Sequence, residues 1–205
     1  AGDDADTIIV NRSLEDSTVK GGSGADSLYF VSNVTGMKVA GNTQFDTIHF
    51  VGNATNTTVW GGSGEDSIYV QGAIAEGAYL DGDIGKDTIT VGGNATGLIV
   101  EGDVGEDQLS FGGSLTSSKL KGGVGKDTIS VAGNLVNTNI SSNFNDDSIV
   151  VAGKLTSSNV YGGSGNDTIT VGAFTSAFVG GQTGKDLLVG TGNMIAANIG
   201  LAEEG

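Results

Sequence analysis

The chain has 205 residues, 37 of them glycine, with no proline and no cysteine, and 24 acidic against nine basic residues leave a formal charge of −15. No cysteine means no disulfide scaffold, thiol catalysis or thiolate metal centre, and one histidine, His49, argues against a histidine-built metal or catalytic site. Such acidity argues against nucleic acid and against an anionic membrane surface as partners, and no stretch approaches the roughly 18 apolar residues of a membrane span.

From the N-terminus, the first predicted element is a turn ending at Asp6, followed by a strand through Thr7–Val10. A bend, an apolar residue at Leu14 and a second short strand through Val19 complete the unit, and a new turn begins at Gly21. The unit then recurs. Its marker is one aspartate: Asp6, Asp26, Asp46, Asp66, Asp87, Asp107, Asp127, Asp147, Asp167 and Asp186, spaced 19 to 21 residues apart. Ten repeats fill residues 1–205 as one domain. With the aspartate at place 6 of each repeat, place 8 is Ile or Leu throughout, and place 10 is Val or Phe until Gly190 breaks the row. Place 14 is mostly apolar, and place 19 runs Val19, Val39, Val59, Leu80, Val100, Leu120, Ile140, Val160 and Ile199, with Val179 filling the shortened ninth repeat.

Apolar residues at places 8 and 10 alternate with polar or mixed ones at 7 and 9, which is strand period with one side buried. Runs such as Thr168-Ile169-Thr170-Val171 are rich in the β-branched residues that strands favour. A 20-residue unit of short strands cannot bury its own apolar face, and stacking solves this. The predicted fold is all-β, a parallel β-solenoid of ten coils, advancing about 4.8 Å per coil to a rod of roughly 48 Å. Glycines near place 12 (Gly52, Gly93, Gly133, Gly153) are expected to supply a bend, and the asparagines at place 13 (Asn33, Asn53, Asn94, Asn134, Asn193) a structural ladder.

The turn before the aspartate carries the chemistry. Gly21-Gly22-Ser23-Gly24-Ala25-Asp26 recurs as Gly61-Gly62-Ser63-Gly64-Glu65-Asp66, as Gly122-Gly123-Val124-Gly125-Lys126-Asp127 and as Gly162-Gly163-Ser164-Gly165-Asn166-Asp167. Stacking sets ten carboxylates in a row at the strand spacing, where neighbouring unit charges repel by about 1 kcal/mol even in water. Carboxylate and carbonyl oxygens, without nitrogen or sulfur, suit a hard cation with six to eight ligands, calcium better than magnesium. The competing role for each aspartate is to cap its own turn through backbone N–H groups.

These turns resemble the RTX nonapeptide repeat, G-G-x-G-x-D followed by an aliphatic residue. The resemblance implies a right-handed β-roll binding calcium between successive turns, one column here because each coil carries a single such turn. The carboxylates it implies as ligands are Asp6, Asp26, Asp66, Asp87, Asp107, Asp127, Asp167 and Asp186. The turn backbone at Gly22, Gly24, Gly62, Gly64, Gly85, Gly105, Gly123, Gly125, Gly163 and Gly165 would support them. Asp46 and Asp147 are expected to be weaker, because Gly41-Asn42-Thr43-Gln44-Phe45-Asp46 and Ser142-Asn143-Phe144-Asn145-Asp146-Asp147 lack most turn glycines. Asp83 and Asp103, replacing a turn glycine in coils 5 and 6, are either added ligands or solvated charges. Seven calcium ions would bring the formal charge from −15 to about −1.

No enzyme is expected: His49 falls on the outward side beside Tyr29 and Tyr69, the hydroxyls have no histidine partner, and no long loop interrupts the coils. Ice binding needs flat outward threonine and asparagine rows. Place 7 comes close, and place 9 is irregular. Trp60 and Tyr161 mark a candidate glycan or protein contact. Neither end shows a helix or charged cap, and only residues 200–205, with two glutamates, follow the last coil. The expectation is therefore an extracellular, calcium-dependent structural protein that stacks head to tail into fibres, a matrix or a surface layer. The alternatives are a rigid module of a larger exported adhesin, surface-layer protein or exoenzyme, and, more remotely, a phage fibre. Extracellular placement follows from the resemblance.

Overall fold

The computed structural model describes residues 2–195 and 198–201, so the acidic end of the chain at 202–205 lies outside the described residues. It is an all-β parallel solenoid of ten coils, and no helix occurs among the described residues. Each coil contributes to three faces. The first is a ten-stranded parallel sheet running from Thr7–Val10 to Leu187–Gly190. The third is another ten-stranded sheet, from Thr18–Ser23 to Asn198–Leu201. Between them the second face is made of two-residue strands, three in one group and six in another.

Register follows the repeat, with one shift at the last pair of the third face, between Gly180 and Gln182. Ile8 pairs with Leu28, Leu28 with Ile48, and Ile129 with Ile149. Places 8, 10, 14 and 19 therefore form continuous apolar rows inside the rod. Leu28, Ile48, Leu80, Ile129 and Val160 are fully buried, and Phe30 and Phe50 stack with ring centroids 4.6 Å apart. Burial of these rows drives folding, because no coil can remove its apolar face from water alone.

Two irregularities are local. The extra residue of coil 4 is absorbed between Ile74 and Tyr79, where Ile74 keeps only single bridges to Ala54 and Ala95 and divides the second face. The missing residue of coil 9 is taken from the bend before Phe174, which pairs with Leu155 and is buried; Val179 holds place 19 opposite Val160 as expected. Where Gly190 breaks place 10, the Met194 side chain fills the space a Cβ would need.

The bend expected at place 12 is present at Gly52, Gly93, Gly133 and Gly153, and a second one lies at place 16. Gly133 and Gly153 at place 12 are close-approach sites, where a Cβ would strike the backbone of the preceding coil. The left-handed residue sits at place 16: Asp16 (φ 45°), Asn56 (48°), Ser117 (50°), Asn137 (49°) and Ser157 (49°). Behind it, place 17 forms a buried column that mixes Met37, Leu98 and Ala78 with Thr57, Ser118, Thr138 and Ser158. Its hydroxyls cap neighbouring coils: Ser118 Oγ accepts from Leu98 N–H, Thr138 Oγ1 from Ser118 N–H, and Ser158 Oγ from Thr138 N–H. The asparagine row caps in the same way. Asn33 Oδ1 accepts from Asn53 N–H at 2.8 Å, and Asn134 Oδ1 from Lys154 N–H at 2.8 Å.

Candidate metal centre

The third face passes into the first through the six residues that end at the column aspartate. The second and fourth places of this turn take left-handed conformations, as at Gly22 (φ 126°) and Gly24 (111°). Where glycine is missing, the conformation persists. Asn42 (φ 91°), Gln44 (74°), Asn143 (79°) and Asn145 (78°) hold it in coils 3 and 8, and Asp83 (68°) and Asp103 (70°) in coils 5 and 6. Asparagine and aspartate enter this region at a modest cost. The backbone difference that set Asp46 and Asp147 apart in the sequence is therefore absent from the fold.

The turn drives the aspartate inward. Asp26, Asp46, Asp66, Asp87, Asp107, Asp127, Asp147 and Asp167 are at most 3% exposed. Asp6 and Asp186, in the first and last coils, are half-buried. The two oxygens of each buried carboxylate have different fates. Oδ1 accepts the backbone N–H of the aspartate one coil earlier, and nine such bonds of 2.7–2.9 Å run from Asp6 to Asp186. Oδ2 of all eight buried aspartates is shielded from solvent and has no hydrogen-bond partner.

The first place of the turn explains where Oδ2 points. At Gly21, Gly41, Gly61, Gly82, Gly102, Gly122 and Gly162, an added Cβ would strike Oδ2 of the same coil's aspartate and a backbone carbonyl oxygen of the next coil. A carboxylate oxygen and a carbonyl oxygen thus flank one small gap in each of these coils. Coil 8 differs. Ser142 takes this place and donates from Oγ to Gly162 O at 2.6 Å.

Burial pushes seven of these carboxyls up, with neighbouring carboxylates adding to the effect and the bond to Oδ1 opposing it. Asp87 and Asp127 rise to about 7, and Asp46, Asp107 and Asp147 to about 6. Asp66 and Asp167 rise for the same first cause. An unpartnered buried carboxylate oxygen is costly, and either a proton or a cation removes that cost. The donors that converge are all oxygen, from carboxylate and carbonyl, which fits calcium.

Asp83 and Asp103 lie outside the column, on the outward side of the third face. Asp103, Asp81 and Glu101 bring carboxylate oxygens within 4.8 Å of one another. Tyr79 Oη donates to Asp81 Oδ2 at 2.7 Å and to Glu101 Oε2 at 2.9 Å, Lys121 pairs with Glu101, and Asp83 N–H donates to Asp81 Oδ1 at 3.1 Å. The chain's own donors already serve this group. The signal for it was in the sequence, since Asp81, Glu101 and Lys121 share place 20. Trp60 and Tyr161 occupy the same row, opposite Asp81 and Ser141.

No family model matches the chain, and no curated protein matches it. Among solved structures it is similar to a hyperactive, Ca2+-dependent, β-helical antifreeze protein from an Antarctic bacterium. The TM-score is 0.78 at 25% identity, covering 98% of this chain and 71% of that one. That protein is calcium-dependent and β-helical, as the column geometry found here leads one to expect of a relative in fold.

Proposed function

We propose that this chain is a calcium-ordered rod with a structural role in an extracellular or cell-surface assembly. The observation that carries the reading is the column of eight buried carboxylates, each with one oxygen capped by backbone and the other unpartnered, in seven of them beside a carbonyl of the next coil. Calcium would be held by Asp26, Asp46, Asp66, Asp87, Asp107, Asp127, Asp147 and Asp167 with turn carbonyls. Bound there, it supplies positive charge to a row that otherwise repels itself. Low calcium keeps such a chain loose and millimolar calcium folds it, which suits a protein that becomes rigid only outside the cell. We assign it no catalysis. The imidazole of His49 is packed between Tyr29 and Tyr69 at centroid distances of 4.8 and 4.7 Å, with Nε2 buried and unpartnered.

End-to-end growth belongs to the same reading. At coil 10 an apolar cavity of about 110 Å³, lined by Val171, Phe174, Leu188 and Met194 among others, opens the core. A further coil would cover it, whether from the same chain or a second copy. Circular dichroism and negative-stain microscopy in millimolar calcium and in chelator test both parts. Unchanged β-signal and melting in chelator would sink the calcium role, and monodisperse rods at high concentration would sink the filament.

A second reading, ice binding, is favoured by the similarity to the antifreeze protein and by the outward face of the first sheet. In coils 5 to 9 its places 7 and 9 carry Thr88, Thr90, Ser110, Thr128, Ser130, Ser148, Thr168 and Thr170, with Gln108 and Val150 as the exceptions. Thermal hysteresis of the calcium-loaded protein decides it, and a freezing point equal to the melting point rejects it.

A further inference from the structure

The outward residue at the third place of the turn forms an unbroken ladder. Thr43 pairs with Ser63, Ser63 with Ile84, Ile84 with Val104, Val104 with Val124, Val124 with Phe144, Phe144 with Ser164, and Ser164 with Thr183. The four middle side chains are apolar and open to solvent: Ile84 61%, Val104 50%, Val124 48% and Phe144 57% exposed. None of the described residues covers them. Large exposed apolar residues grouped on one edge are uncommon on a monomer and mark contact surfaces.

The order along this ladder reads the same in chemistry from either end: Thr, Ser, bulky apolar, Val, Val, bulky apolar, Ser, Thr. The exposed row beside it, at the fifth place, reads Lys86, Glu106, Lys126 and Asp146 over the same four coils. These charges alternate, and Lys86 pairs with Glu106 in the chain at 3.6 Å. Because the count is even, the row is also its own complement when reversed. Turned about a two-fold axis that lies across the rod between coils 6 and 7, Lys86 meets Asp146 of the second copy and Glu106 meets its Lys126. In the same operation Ile84 meets Phe144, and Val104 meets Val124. One coil further out Glu65 meets Asn166, and beyond that the exposed ring of Phe45 meets Lys185, a cation over an aromatic face. No like charges meet at any step. A parallel two-fold instead lays the apolar ladder on the charged row.

We propose that the turn edge of coils 5 to 8 is an isologous interface on which a second copy of this chain packs antiparallel. Two-fold contacts require a self-complementary patch, and this edge supplies one in both shape class and charge. The contact is lateral, so it is independent of end-to-end growth, and it needs only the folded, calcium-loaded rod. The strip is about 34 Å long over eight coils but only two side chains wide. That is small beside the roughly 800 Å² per partner of a standard interface. The expected dimer is therefore weak, with a dissociation constant on the order of 100 µM for one isolated pair of rods.

The test uses the calcium-loaded protein at up to about millimolar concentration, read by sedimentation equilibrium and small-angle scattering. In the wild type the cross-section should double and stop there, whatever length the rods reach by end-to-end growth. Glu106→Lys and Lys126→Glu each place like charges at both symmetry-related contacts, and each alone should associate at least tenfold more weakly. Mixed in equal amounts, they should recover wild-type association. The lysine introduced in the first variant then meets the glutamate introduced in the second, while the native Lys126 of the first meets the native Glu106 of the second. The one ion pair altered, Lys86 with Glu106, is exposed and contributes little to folding, so melting temperatures should stay near the wild type. Phe144→Ser should also weaken the dimer. A wild-type cross-section that stays that of a single rod, one that grows beyond two rods, or a mixture no better than its components would overturn the proposal.

Discussion

Asp107 donates its backbone N–H to Oδ1 of Asp127 at 2.9 Å, and Asp127 in turn donates to Oδ1 of Asp147 at 2.7 Å. Each aspartate is thus at once the donor to one neighbour and the acceptor for the other. Capping and metal binding, which compete as roles for a lone aspartate, are divided here between two oxygens of one carboxylate.

Asp127→Ala removes both. It should leave the Asp107 N–H unpartnered at a cost of about 1–3 kcal/mol and remove one metal ligand. Asp127→Asn keeps the acceptor and discards the charge. In chelator at pH 8 it should melt above the wild type, and calcium should raise its melting temperature by less. Scanning calorimetry with and without calcium checks the pair. An asparagine variant as calcium-responsive as the wild type would remove Asp127 from the metal column.

Asp46→Ala should cost as much as Asp127→Ala, although its turn lacks two glycines. Asn42 and Gln44 hold the same left-handed backbone, and Asp46 Oδ1 accepts from Asp26 N–H at 2.7 Å. Parallel urea titrations of the two variants test this, and a loss at Asp46 of less than half that at Asp127 counts against it.

Stability without metal should fall as pH rises. The buried carboxyls have folded-state values raised to about 6 or 7 in Asp46, Asp87, Asp107, Asp127 and Asp147, against about 3.9 in an unfolded chain. The folded state then binds more protons across that interval. Its stability is greatest below about pH 4 and is lost progressively toward pH 7. Calcium competes with those protons, so the calcium-loaded protein should show the reverse slope. Melting curves at pH 4.5, 6 and 8, with chelator and with calcium, give both slopes, and a flat profile in chelator contradicts the first.

Thr138→Val tests the other buried column. The side chain is fully buried, and Oγ1 accepts from Ser118 N–H and donates to Val136 O at 3.0 Å. Valine keeps the shape and loses both bonds, at about 1–3 kcal/mol. The loss should be equal in calcium and in chelator, because this column lies on another side of the rod. A calcium-dependent difference would link the two columns.

The solenoid, its ten coils and its rows at places 8, 10, 14 and 19 were legible in the sequence, because a strict period turns one residue type into a ladder. The aspartates were legible for the same reason. Their division of labour was not, since which oxygen meets a backbone donor depends on the offset between coils. Place 17 was hidden because Met37, Leu98, Thr138 and Ser158 share neither size nor chemistry. Place 16 was hidden because Asp, Gly, Asn and Ser all serve as left-handed residues. Phe174 was missed where coil 9 loses a residue, since one deletion moves an apolar residue out of the expected place. Asp83 and Asp103 stood in the motif but joined Asp81 and Glu101 on the outward surface, because place 2 faces away from the column.

The residue added in coil 4 gives the rod a seam. On the second face, coils 1 to 3 and coils 5 to 10 form separate strips, and coil 4 joins them only through single bridges at Ile74 and hydrogen bonds such as Asn56 N–H to Glu76 O at 3.0 Å. A rod pulled along its axis carries load through three paired faces elsewhere, and here through two paired faces and a second face that has lost its strand pairing. Tension or a protease should open this molecule first at coil 4, shedding a three-coil piece from a six-coil remainder. The Tyr29–His49–Tyr69 ring stack lies along the first face up to that same coil, as a brace beside the break.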